Sequence, residues 1–137
     1  MELGTFGALF AFALELERRA LAFYEAAPAS LAAEARPLAA GSRKRLGRLE
    51  RARQEGISEM ILEAITGLRS EDYAPPAEAG AWPDMAAALE GTAARFYRDA
   101  AAKVPIAETA RLFARLAEEN DQRGQELRRN PPPPAGV

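Results

Sequence analysis

One motif in this chain occurs twice with its spacing kept. Glu17 and Tyr24 stand seven residues apart in E-L-E-R-R-A-L-A-F-Y, and Glu90 and Tyr97 stand seven apart in L-E-G-T-A-A-R-F-Y. Seven residues are two helical turns, so each pair shares one helix face. A second signature follows each pair downstream, Glu50-x-x-Arg53 in the first half and Asn120-x-x-Arg123 in the second. Glu17 to Tyr24 maps onto Glu90 to Tyr97 at an offset of 73 residues, and Leu46, Glu50 and Arg53 map onto Leu116, Asn120 and Arg123 at an offset of 70. Two helix hairpins related by a pseudo-twofold axis would bring all these side chains to the centre of one bundle.

Periodicity predicts four long helices. The first runs from about Thr5 to Ala27 and stops at Pro28, with a stripe of Phe6, Phe10, Ala13, Ala20 or Leu21, and Tyr24 that contains Glu17. The second runs from about Leu38 to Glu55. An earlier start is open to it, because Ser30 suits an N-cap and Pro37 suits an early turn. Its stripe is Leu46, Leu49 and Arg53, with Glu50 beside it. The third starts at Pro83 and runs to Lys103, with Glu90 on the side of Ala86, Leu89, Ala93, Tyr97 and Ala101. The fourth runs from Ile106 to about Arg129, with Asn120 inside the stripe of Leu112, Leu116, Arg123 and Leu127.

Between helices two and three, I-S-E-M-I-L-E-A-I-T-G-L reads as a short apolar helix closed by Gly67, followed by a turn-rich stretch with Pro75 and Pro76. Short links within each half and a long one between halves fit a bundle with one crossover. Trp82 reads as an anchor at the bundle end. The expected organisation is a helical domain over residues 1–130 and an extended, Pro-rich, mobile tail over 131–137.

Composition removes several chemistries. The chain has no histidine and no cysteine, which excludes thiolate ligands, imidazole ligands, a cysteine nucleophile and a Ser/His/Asp set. It has no glycine-rich phosphate loop after a strand. Its net charge of -2 argues against nucleic acid as a partner. The apolar N-terminus lacks a basic leader and is too short to span a bilayer, so a soluble cytoplasmic protein without membrane contact is expected. Arg43, Lys44, Arg45, Arg48, Arg51 and Arg53 form a basic run on helix two. It reads as a solvated face, with a phosphate or acidic-partner patch as the alternative.

The repeated Glu/Tyr spacing in this helix order resembles the ferritin-like superfamily, closest to its rubrerythrin-like branch. A-L-E-L-E-R-R-A-L-A-F-Y-E-A-A looks like that branch's first ligand helix, and L-F-A-R-L-A-E-E-N-D-Q-R looks like its last. The resemblance spans roughly Phe6 to Arg129. It implies an all-α, antiparallel ferritin-like four-helix bundle, with the short extra helix in the helix 2–helix 3 crossover. In that family a carboxylate from helices one and three, and Glu-x-x-His on helices two and four, hold two iron or manganese ions. Glu17, Glu50 and Glu90 match ligand positions. Asn120 stands where a bridging glutamate is expected, and Arg53 and Arg123 stand where the two histidines are expected.

Arginine stays protonated and does not ligate a cation, but it pairs well with carboxylates. The degenerate dimetal site is therefore expected to be a buried network of Glu17, Tyr24, Glu50, Arg53, Glu90, Tyr97, Asn120 and Arg123, with the arginines supplying the former metal charge. No catalytic residue and no cofactor are expected. The function expected is non-catalytic, through self-association as a homodimer or other homo-oligomer, or through an unidentified protein partner. Met60, Ile61, Leu62 and Ile65 either cap a bundle end or form an exposed strip for a dimer contact. The alternative is an iron- or manganese-dependent ferroxidase, peroxidase or metal-handling protein. It would use Glu17, Glu50 and Glu90, or a single ion recruiting Glu118 or Glu119.

Overall fold

A computed structural model of the chain describes residues 1–55, 65–74 and 80–129. The regular structure among these residues is helical, apart from a single isolated β-bridge between Glu2 and Arg69. Four long helices dominate: α1 (Phe6–Glu25), α2 (Ala32–Glu55), α3 (Trp82–Lys103) and α4 (Ala107–Arg129). They are compatible with a helical bundle. α1 packs chiefly on α2 and α3 on α4, while α1–α3 and α2–α4 contacts join the two pairs.

Local chemistry sets the ends. The Thr5 hydroxyl accepts a hydrogen bond from the Ala8 N–H at 3.1 Å and caps α1. Pro28 blocks continuation beyond Ala26, and a single 3-10 turn, Ala29–Leu31, leads into α2. α2 therefore begins six residues before Leu38, the expected start, and Pro37 lies inside it. Pro37 is exposed, so water can bond the carbonyl that its missing N–H leaves free. Pro83 occupies the first turn of α3, and Pro105 separates α3 from α4.

The interior is layered along the helix axes. One apolar layer gathers Phe6, Leu9, Phe10 and Leu14 of α1, Leu49 of α2, Phe96 and Tyr97 of α3, and Phe113 and Leu116 of α4. A second, smaller layer gathers Ala20 and Tyr24 of α1, Leu38 and Ala39 of α2, and Ala86 of α3. Trp82 closes that end by stacking on Phe23, with centroids 5.5 Å apart. On every long helix, buried polar residues fall between the two layers: Glu17, Ser42 with Arg45, Glu90, and Asn120.

Part of the crossover is tied to the N-terminus and the core. The N–H of Leu3 donates to the Leu68 carbonyl, that of Ile65 to Gly4, and that of Ser70 to Met1. Gly67 takes φ +85°, a backbone region that residues with a Cβ rarely enter. Ile65 and Gly67 lie outside any helix, which corrects the end expected for the extra helix. The rest of that helix, with Met60, Ile61 and Leu62, lies outside the described residues, as do Pro75, Pro76 and the 131–137 tail. Ile65 itself is buried in the larger layer.

Tyr73 seals the same side. It is buried, packs edge-on against Phe96 with centroids 5.2 Å apart, and donates its hydroxyl hydrogen bond to Asp99. The Arg95 guanidinium lies 4.9 Å above its ring. Tyr73→Phe keeps the packing and removes only the hydroxyl. It is expected to lower the unfolding free energy by about 1 kcal/mol, read from paired urea melts.

Candidate functional site

The polar layer is built from α1 inward. Glu17 falls on the apolar stripe of a helix that must bury that stripe, so its carboxylate is carried out of water. Arg45 of α2 answers it. The Arg45 Nε donates to both Glu17 oxygens, at 3.0 Å to Oε1 and 2.8 Å to Oε2. The same guanidinium places Nη2 3.5 Å from Glu90 Oε1 of α3 and 3.4 Å from the Ser42 hydroxyl oxygen. On the far side, Asn120 Nδ2 of α4 donates to Glu90 Oε2 at 3.0 Å. The Arg45, Glu17 and Glu90 side chains are 2% exposed or less, so no solvent screening weakens these contacts. Gly41 makes room for this: a Cβ there would lie 3.3 Å from Arg45 Nη1.

The repeated tyrosines serve the carboxylates of the opposite half. Tyr97 of α3 lies beside Glu17 of α1, and Tyr24 of α1 lies beside Glu90 of α3, each lowering its neighbour's pKa. Neither hydroxyl makes a hydrogen bond of full geometry, and Glu90 Oε1 and Asn120 Oδ1 also lack one among the described residues. The spacing of seven thus lets each Glu/Tyr pair reach across to the other.

Electrostatics follow from one cation between two carboxylates. Burial raises the Glu17 pKa from its ordinary 4.5 to about 7, with Arg45 opposing and Glu90 reinforcing the rise. Burial raises Glu90 as well, against Arg45, Asn120 and the more distant charge of Arg123. Burial also pushes both tyrosine hydroxyls upward, so both stay protonated. For Arg45, burial disfavours the charge, but Glu17 and Glu90 outweigh it and the pKa rises. The guanidinium neutralises one carboxylate. The cheapest state for the other is to keep a proton, and the pair titrates as a unit.

The structure brings together Glu17, Tyr24, Glu90, Tyr97 and Asn120. It leaves out the expected helix-two pair. Glu50 is exposed and pairs with Arg18 at 3.5 Å, and Arg53 is exposed. Ser42 and Arg45 stand in their place, two turns nearer the α1–α2 link. Arg123, from the second half, points outward to Glu126 at 3.3 Å with 42% of its side chain exposed. A signal for Arg45 existed. Counting equal numbers of residues outward from the link between Glu25 and Ala32 sets Glu17 opposite the stretch just before Ser42, well short of Glu50. Leu38, Ser42, Arg45 and Leu49 also form a helical stripe of their own.

A dimetal centre does not fit this donor set. The two buried carboxylates face a permanent guanidinium, and the third expected carboxylate, Glu50, is at the surface. Among the described residues no group of three acidic, histidine or cysteine side chains converges. Comparison with protein-family models, curated proteins and solved structures gives no match.

Proposed function

We propose that the chain is a non-catalytic, antiparallel ferritin-like bundle, related to the rubrerythrin branch, that works through its surface. In this reading a Glu–Arg–Tyr–Asn centre has replaced a two-metal site, and the protein acts by self-association or by binding a partner. The observation that carries it is the position of Arg45, a cation bonded to one buried carboxylate and reaching a second. A guanidinium there supplies charge neutralisation without ligand exchange or redox chemistry.

Two further observations support the ancestry. The order of contacts is reversed across each helix pair: Arg18 meets Glu50 while Glu25 meets Arg43, and Glu90 meets Asn120 while Tyr97 meets Phe113. On α2 the polar signature that reaches the centre, Ser42-x-x-Arg45, also keeps the spacing of Glu-x-x-His, while on α4 only Asn120 of Asn120-x-x-Arg123 reaches it.

The test is elemental analysis of tag-free protein after anaerobic loading with Fe(II) and Mn(II) and desalting, with light scattering on the same sample. A polyhistidine tag would supply the only histidines in the chain. The expected result is no stoichiometric metal and an assembly state unchanged by loading. Stoichiometric iron or manganese would overturn the reading in favour of a metal-handling protein.

A further inference from the structure

Away from the buried centre, four arginines line one groove. Arg48 and Arg51 come from the last turns of α2, and Arg111 and Arg115 come from the first turns of α4. The groove encloses about 370 Å³, within the range of small-ligand sites. Ala52 and Leu112 give it an apolar floor. The spacings are i,i+3 on one wall and i,i+4 on the other, where like charges repel along a helix.

Internal pairing leaves most of this charge uncompensated. Arg48 is bound to Glu119 at 2.6 Å. Among the described residues, Arg51, Arg111 and Arg115 form no ion pair. Glu55 and Glu108 also line the groove, so with Arg48 held by Glu119 it keeps three guanidinium groups, unpaired among the described residues, beside two carboxylates. A chain of net charge -2 has therefore concentrated guanidinium groups on two facing walls, where each destabilises the others. An anion seated between the walls removes that repulsion and offers the oxygens that guanidinium forks bond in pairs.

We infer that this groove binds a phosphate-bearing small molecule, with Arg51, Arg111 and Arg115 as the phosphate ligands. Phosphate is favoured over a single carboxylate because the guanidinium groups come from both walls, and a tetrahedral or chain phosphate presents oxygens to both at once. The apolar floor suits the carbon body of an organic phosphate. The inference is independent of the buried centre, since none of these residues belongs to it.

The test is calorimetric titration of the full chain with tripolyphosphate and with a nucleoside triphosphate, in low salt. Saturable binding of one phosphate ligand per chain is expected, weakened about tenfold or more by Arg111→Gln and by Arg51→Gln. Arg36→Gln, an exposed arginine near the start of α2 and outside the groove lining, is expected to leave it unchanged. Both groove variants should melt no lower than the wild type, because neither arginine holds an ion pair and its removal relieves like-charge repulsion. Tighter binding of the nucleotide would assign the Ala52 and Leu112 floor to an organic phosphate, and equal binding would assign the groove to phosphate alone. No binding at millimolar probe, or equal weakening by Arg36→Gln, would overturn the inference.

Discussion

Arg45→Met is expected to lower the unfolding free energy by about 3–5 kcal/mol at neutral pH, the range for removing one partner of a buried ion pair. The methionine fills much of the arginine's volume, so the loss is electrostatic. Glu17 would lose both bonds from Nε, Glu90 would lose its nearest cation, and both would stay in a medium that disfavours their charge. The deficit should shrink in acid, because protonated carboxyls need no counter-ion. Arg45→Lys should fall between wild type and Met, since an ammonium keeps the charge but lacks the planar group that joins Glu17 to Glu90. Arg53→Met is the matched control. It should lie within about 0.5 kcal/mol of wild type, as surface substitutions do. Urea melts of the four proteins at neutral pH and near pH 4 measure all of this. Equal melts for Arg45→Met and Arg53→Met would remove the basis for a guanidinium-centred core.

The contrast between these two arginines shows how far the sequence could be read. Apolar periodicity and proline punctuation located all four helices, because burial of a stripe and loss of a backbone donor are local effects. The Glu/Tyr repeat was legible for the same reason: Glu17, Tyr24, Glu90 and Tyr97 lie on stripes that have to be buried. Asn120 was legible because its neighbours Leu116 and Leu127 mark a single face of α4. Helix two was ambiguous. Its arginines recur at nearly every helical phase from Arg43 to Arg53, so composition did not say which one faces inward. The choice of Glu50 and Arg53 followed the repeat, whose offsets of 73 and 70 allow the first half three more residues between its two signatures than the second. The α1–α2 link, with its 3-10 turn, runs from Ala26 to Leu31, while the α3–α4 link runs only from Val104 to Ile106. That difference is already contained in the offsets; what they miss is that Glu17 lies eight residues before the end of α1 and Glu90 thirteen before the end of α3, so the side chain that meets Glu17 on α2 falls nearer the link, at Arg45. The pairing of tyrosine with the opposite glutamate depends on how α1 meets α3, which no single-helix pattern encodes. The groove arginines of α4 were silent in sequence because Arg111 and Arg115 meet Arg48 and Arg51 only after folding.

Glu17→Gln tests the other side of the same electrostatics, through pH. The Glu17 pKa is about 7 in the native protein against 4.5 ordinarily, so the native state holds this proton more tightly than the unfolded chain does. The stability contributed by that proton is complete below about pH 4.5 and is lost as pH rises through 7. Over the whole window the loss is about 3 kcal/mol. Glutamine keeps the shape and cannot ionise. The difference in unfolding free energy between wild type and variant should therefore move in favour of the variant by that amount between about pH 4 and about pH 8. The opposite drift would mean that Arg45 more than repays the burial of Glu17. A flat difference would mean that the two effects cancel and that Glu17 is a simple ion-pair partner. The variant carries a second piece of information. With Gln at position 17, Arg45 faces Glu90 alone, one cation for one carboxylate. The charge imbalance that makes the wild-type pair hold a proton is gone, and Glu90 should ionise at lower pH than it does in the wild type. The variant's own stability should then depend less on pH between 5 and 7 than removal of the Glu17 titration alone would leave it, and that excess is what a cation shared between the two carboxylates produces.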